Sequence, residues 1–267
     1  VPDEFSPAEI ASFRDVDTGN PEALIAYLDA VTRISADEKR RGFDALGLRA
    51  GMSVLDVGCG TGDDVRAIAE IVGLAGSVRG LDSSAAMIEA ARSRGVPASA
   101  AFVEGRAESM PFESASFDAA RAERVFQHLD EPQLAARELR RVLRDGGRAF
   151  VLDPDWETVL IAGAERSLTR RIVHALMQRL ANPSAGGSTP ALLRDAGFRS
   201  VTATPVLSAP ALARAYDLFL GAAIDYAIAA KTLTAQDAAA WLRALLEAEQ
   251  RGEFLCAVTA VATLATA

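Results

Sequence analysis

The chain has 267 residues, 50% of them hydrophobic, with 28 Lys and Arg against 36 Asp and Glu and a formal charge of −8. Such an apolar fraction can build a large buried core and excludes a disordered chain. The acidic balance argues against bulk attraction to phosphate backbones or anionic membranes, so a small neutral or cationic substrate fits better.

The opening VPDEFSPAEI lacks the basic start and apolar run of a secretory signal. Residues 21–48 read as helix, with Leu24, Leu28, Val31, Phe43 and Leu46 at helical spacing around an exposed DEKRR. Residues 1–50 are therefore expected to form an N-terminal helical cap. From Ser53 the pattern changes to short apolar runs ending in polar or glycine residues, each followed by a helix-length segment. Strands are predicted over 53–57, 77–82, 100–105, 117–123 and 148–153, with helices over 63–73, 84–94 and 131–144. Alternation of this kind defines an α/β fold: a Rossmann-like, mostly parallel sheet with helices on both faces and ligands beyond the carboxyl ends of its strands.

After Asp153 the rhythm loosens into a helix over 163–181, the break NPSAGGSTP, a short helix over 190–196 and a strand, RSVTATPVL. Helices over 210–231 and 235–251 and a last strand over 253–265 complete a seven-stranded sheet. The core is thus expected to occupy 51–155, 188–208 and 253–267, with 156–187 and 209–252 as helical lid insertions. Arg214, Asp217 and Asp225 interrupt the apolar residues 209–231, and FLCAVTAVATLATA is about half of the roughly 20 residues a membrane span needs. No membrane partner is expected.

Cys59 and Cys256 supply neither a disulfide framework nor metal-ligand spacing, which points to a reduced, cytoplasmic protein without a metal site. Arg137, Arg140, Arg141, Arg144 and Arg148 crowd one segment, but Glu138 and Asp145 interrupt them, so they read as a solvated face rather than a nucleic-acid surface.

The chemistry concentrates in LDVGCGTGDD. Gly58, Gly60 and Gly62 follow a strand and open a helix, where missing Cβ atoms permit tight turns and close approach to a ligand. The spacing G-x-G-x-G departs from the dinucleotide pattern, and Asp56 just before it disfavours a diphosphate. A carboxylate there suits a ligand with positive charge, such as an α-ammonium group alone or beside a sulfonium. Asp82 ends the next strand, where a carboxylate can accept from both hydroxyls of an adenosine ribose. S-adenosylmethionine carries all of these groups.

The motifs VLDVGCGTGDD, GLDSSAAMIEAA, AESMPFESASFDAA and RVLRDGGRAFVLD, in this order, resemble those of the class I S-adenosylmethionine-dependent methyltransferases. The likeness is strongest to the branch of ubiquinone and menaquinone biosynthesis and natural-product methyltransferases, and it runs from about Gly51 to Asp153. The resemblance implies that Asp56 and the loop through Gly58, Cys59, Gly60, Thr61 and Gly62 hold the methionine portion of the cofactor. It also implies that Asp82 takes the ribose, that Ser83 and Met87 line the adenosine pocket, and that Arg106, Ala107 and Glu108 meet the adenine edge. The family commonly has aspartate where this chain has Arg106, which leaves adenine recognition to the Ala107 amide.

Glu123 at the end of the fourth strand is placed to contact the methionine end, and His128 is the candidate base for a hydroxyl or amine acceptor, with a hydrogen-bonded loop residue as its plainer reading. Tyr27, Trp156, Tyr216, Phe219 and Tyr226 are the candidate lining of an apolar acceptor pocket, with ordinary core packing as the alternative. The expected reaction is methyl transfer to oxygen, nitrogen or carbon of a small, largely apolar metabolite by a monomer or homodimer, yielding S-adenosylhomocysteine. Two alternatives stay open: another reaction in the same pocket, such as cyclisation or decarboxylation, and a non-catalytic cofactor-binding partner subunit.

Overall fold

The computed structural model describes residues 36–267. Tyr27 and most of the predicted N-terminal cap lie outside the described residues; the described part is α1 (Ala36–Leu46). The chain then alternates β1 (Ser53–Val57), α2 (Asp63–Val72), β2 (Ser77–Asp82), α3 (Ala85–Ser93), β3 (Ala100–Glu104) and β4 (Phe117–Glu123). It continues through α4 (Pro132–Val142), β5 (Leu143–Ala162), α5 (Arg166–Gln178), α6 (Ala185–Asp195) and β6 (Arg199–Ser208). The final elements are α7 (Leu212–Ala215), a π-helical turn (Tyr216–Leu220), α8 (Gly221–Ala229), α9 (Ala235–Gln250) and β7 (Leu255–Thr266).

The seven strands form one sheet in the order β3-β2-β1-β4-β5-β7-β6. β7 runs antiparallel to both of its neighbours, while the other pairings are parallel. Strand alternation sends Leu55 and Val57 to one face, where they pack with Ala135, Leu139 and Leu193 of α4 and α6. Val54 and Val78 go to the other, against Val65 and Ile68 of α2 and Leu46 of α1. The order turns at β1 and β4, so the carboxyl ends of these two strands border the crevice where ligands of open α/β sheets bind.

Three expectations need correction. β5 runs well past Asp153, because β7 offers an apolar partner beyond the parallel sheet: Asp155 pairs with Thr259 and, after a register shift, Leu160 with Ala257. Residues 156–162, expected to open the lid insertion, therefore continue β5. The NPSAGGSTP segment is a break only as far as Ser184, since α6 begins at Ala185 with Pro190 inside it. Gly186 lets that helix lie on β5, where a Cβ would stand 2.7 Å from the Asp153 carbonyl oxygen. The helix predicted over 210–231 is interrupted by the π-helical turn.

α5, α7, α8 and α9 form a separate helical layer with its own core, including Ile172, Leu220, Trp241 and Leu245, packed on Ile161, Cys256 and Val258 of the β5–β7 extension. Glu165 caps α5 by accepting the Ser167 and Leu168 amides, and Thr234 caps α9 by accepting that of Asp237. The indole N–H of the buried Trp241 donates to Thr169 Oγ1 at 2.9 Å, joining α9 to α5. Among the described residues no helix is long and apolar enough to cross a membrane, and no group of three or more His, Cys, Asp or Glu could hold a metal ion.

Candidate cofactor site at the ends of β1, β2 and β4

The glycine loop is pinned to the end of β2. The Gly58 and Cys59 amides both donate to the Leu81 carbonyl, at 2.7 and 3.0 Å. Gly58 and Gly62 adopt left-handed φ of 68° and 79°, which excludes most side chains on conformational grounds. Packing repeats the demand: a Cβ would meet Val125 Cγ2 at 2.4 Å at Gly58 and the Phe102 ring at 2.5 Å at Gly62. Side chains are thus excluded at these two positions by the protein's own neighbours.

Asp82 joins the loop to the next helix. Its Oδ2 accepts the Gly60 amide at 2.8 Å and its Oδ1 accepts the Ser84 amide at 3.0 Å. These two bonds fix the carboxylate plane, and a carboxylate can accept about four hydrogen bonds in all. Ser83 beside it is exposed, whereas Met87 is buried in α3 and Cys59 is buried in the loop. Burial pushes the Cys59 thiol far above its ordinary value, so it stays protonated. Thr61 is also buried, with its hydroxyl donating to Asp63 at 3.0 Å. On the β3 side, exposed Arg106 folds onto Glu108 at 2.9 Å while Ala107 is buried, so the residue that departs from the family pattern is ion-paired.

Asp56 stands directly beside Arg121 in the β1–β4 register, and both are buried. Arg121 Nη1 reaches Asp56 Oδ1 at 3.3 Å and also donates to Asp64, while Nη2 donates to Glu123. Lys39 of α1 adds a 2.9 Å contact to Asp64, Phe43 stacks on the guanidinium at 5.3 Å, and Arg124 meets Glu123 at 3.4 Å. Burial alone would raise the Asp64 carboxyl, but Arg121 and Lys39 outweigh it and hold the group below its ordinary range. At Asp56 burial wins over Arg121, and with Asp64 and Glu123 adding repulsion the carboxyl is pushed up to about 7. The sequence patterns do not single out Arg121, Asp64 or Lys39 as site residues. The legible signal is an arginine flanked by alanines within a strand, FDAARAE, two residues before Glu123.

His128 closes the short 3-10 turn Phe126–His128 after β4. The indole N–H of Trp156 donates to Gln127 Oε1 at 2.8 Å, which turns the Gln127 amide nitrogen toward His128 Nε2 at 3.0 Å. Nε2 therefore accepts, and the ring proton belongs on Nδ1. Burial, with Arg179 and Arg124 nearby, lowers the imidazole to about 4. His128 is thus a neutral imidazole hydrogen-bonded within the turn after β4. Asp153 supports the same turn, accepting the Phe126 and Gln127 amides at 3.3 and 3.2 Å, with burial pushing its carboxyl up to about 8.

The candidate acceptor aromatics divide into two groups. Trp156 and Phe219 are buried and packed edge to face at 5.3 Å, so they are core of the helical layer. Tyr216 and Tyr226 are half-buried, and burial with Asp225 and Asp217 nearby pushes the Tyr216 phenol up to about 12. The basic segment is neutralised locally: Arg140 by Asp145 at 2.9 Å, Arg141 by Glu138 at 2.6 Å, and Arg144 by Asp118.

Comparison with known proteins agrees with this geometry. A family model described as a methyltransferase domain matches residues 55–151. Over 252 residues the chain is 36% identical to an uncharacterised 37.1 kDa protein in transposon TN4556 of Streptomyces fradiae, covering 91% of this chain and 71% of that protein. It is 38% identical over 119 residues to the ubiquinone/menaquinone biosynthesis C-methyltransferase UbiE of Hahella chejuensis, a match spanning 43% of this chain and 48% of that enzyme. Among solved structures, the YcgJ protein of Bacillus subtilis shares the fold with a TM-score of 0.62 at 18% identity, covering 86% of this chain and 98% of that one. Residues 55–151 belong to the methyltransferase domain family, and the matches to ubiquinone and menaquinone methyltransferases span less than half of this chain.

Proposed function

We propose that the protein transfers the methyl group of S-adenosylmethionine to oxygen, nitrogen or carbon of a small, largely apolar acceptor, held between the ends of β4 and β5 and the helical layer. The observation that carries the reading is the pairing of two fixed carboxylates at adjacent strand ends. Asp82 is clamped by the Gly60 and Ser84 amides, and Asp56 is incompletely neutralised by Arg121. The donor set fits the cofactor: an acceptor of two ribose hydroxyls beside a buried carboxylate suited to an ammonium group.

In this reading the backbone from Gly58 through Cys59, Gly60 and Thr61 to Gly62 supports the methionine portion, with Glu123 below it. Asp82 and Ser83 face the ribose, and Ala107 with Glu108 meets the adenine edge. Met87 supports α3 from the core, and Arg106 restrains Glu108. The cofactor supplies an already activated methyl carbon on a sulfonium, so the protein's contribution is to hold the acceptor in line and exclude water. Tyr216 and Tyr226 are the proposed polar handles of the acceptor pocket, with Trp156 and Phe219 as its rigid backing and His128 holding the β4 turn in place.

The test is S-adenosylhomocysteine formation across phenols, hydroquinones and amines of graded polarity. Turnover confined to apolar members supports the proposal. Cofactor binding without turnover on any acceptor class, or turnover on strongly polar acceptors alone, contradicts it.

A further inference from the structure

Three carboxylates, Asp56 of β1, Glu123 of β4 and Asp64 of α2, converge on one guanidinium, Arg121, with Lys39 of α1 the second cation among them. The side chains of all five are at most 16% exposed. Arg124 approaches Glu123 from a more exposed position, at 29%, and Asp82 and Cys59 lie across the loop. The inner set carries three negative and two positive groups. Asp56 has the weaker share, since its 3.3 Å contact is to the same Nη1 that donates to Asp64. Arg121 Nε is also buried without a hydrogen-bond partner among the described residues, so the guanidinium is held by competition among its acceptors.

We propose that Arg121 is the positioning residue for the amino-acid end of the cofactor. By dividing one guanidinium among three carboxylates it leaves Asp56 holding a proton until a cationic ligand group arrives, and binding then expels that proton to solvent. The inference rests on the reading of Asp56 as the partner of the cofactor's ammonium group. The Asp56 carboxyl, pushed up to about 7, places the exchange near neutral pH. The sign follows directly: below that value Asp56 must lose its proton to pair with a cation, so affinity rises with pH and levels off above it.

The experiment is titration calorimetry of the whole chain with S-adenosylhomocysteine and with 5′-methylthioadenosine, which lacks the amino-acid end, in buffers of different ionisation enthalpy. For S-adenosylhomocysteine we expect close to one proton released below neutrality and affinity rising about tenfold from pH 6 to 8, as one linked proton leaving a group that titrates near 7 requires. Methylthioadenosine affinity stays flat. Arg121→Met shifts the rise to higher pH and weakens only S-adenosylhomocysteine at pH 7, and Arg121→Lys recovers part of the loss. Asp64→Asn removes a competing acceptor and a like charge, and so shifts the rise to lower pH. Flat binding of both ligands without proton exchange, or equal weakening of both by Arg121→Met, overturns the inference. Binding of neither ligand to the parent chain removes the cofactor-site reading beneath it.

Discussion

Asp82→Ala separates a ligand-binding carboxylate from a mere loop pin. In the parent, Asp82 orients itself on the Gly60 and Ser84 amides at 2.8 and 3.0 Å. A hydrogen bond to a charged acceptor contributes about 1.5–3 kcal/mol, so losing two ribose hydroxyl contacts removes about 3–6 kcal/mol of binding. That corresponds to a Kd for S-adenosylhomocysteine weaker by on the order of 10²–10⁴. Asp82→Asn is expected to fall between, because its amide can satisfy one backbone N–H but sets a donor against the other. Calorimetric binding paired with thermal melting distinguishes the effects, since the loop contacts contribute to stability whether or not ligand is present. A lowered Tm with S-adenosylhomocysteine bound within threefold of the parent would refute the ribose role and leave Asp82 as a structural clamp.

Gly58→Ala combines a left-handed φ of 68° with a Cβ 2.4 Å from Val125 Cγ2, and is expected to lower stability by about 2–5 kcal/mol. Adding Val125→Ala should recover the steric part in thermal melts while the conformational part persists. His128, lowered to about 4, binds fewer protons folded than unfolded between that value and 6.5, so its contribution to stability is present above 6.5 and is lost as pH falls toward 4. The Tm advantage of the parent over His128→Gln should therefore shrink on acidification, and an advantage independent of pH would contradict the assignment. Imidazole nitrogen NMR should find the proton on Nδ1, and Trp156→Phe should abolish that preference by releasing Gln127.

β1, β2 and β4 were legible to the residue, because SVLDV, SVRGLD and FDAARAE are short runs bounded by polar or glycine residues. The loop between β1 and α2 was legible for the same local reason. The extension of β5 was not, since ETVLIA becomes strand only through β7, whose Cys256 and Ala257 pair with Ile161 and Leu160 from far along the chain. Asp56 could be singled out by its place before the glycines. Its partner could not, because the pairing with Arg121 depends on β4 lying beside β1, which sequence order does not reveal. Trp156 and Phe219 were recognisable as apolar aromatics, but only the helical layer's packing decides that they face its core.

The most direct test is a crystal structure of the chain with S-adenosylhomocysteine. The account predicts the ribose hydroxyls on Asp82, the methionine portion over Gly58 to Gly62, and the ammonium group drawn toward the Asp56–Arg121 pair. Ligand bound away from the β1–β4 crevice, or lying in it with both Asp56 and Asp82 out of hydrogen-bonding reach, would contradict the account.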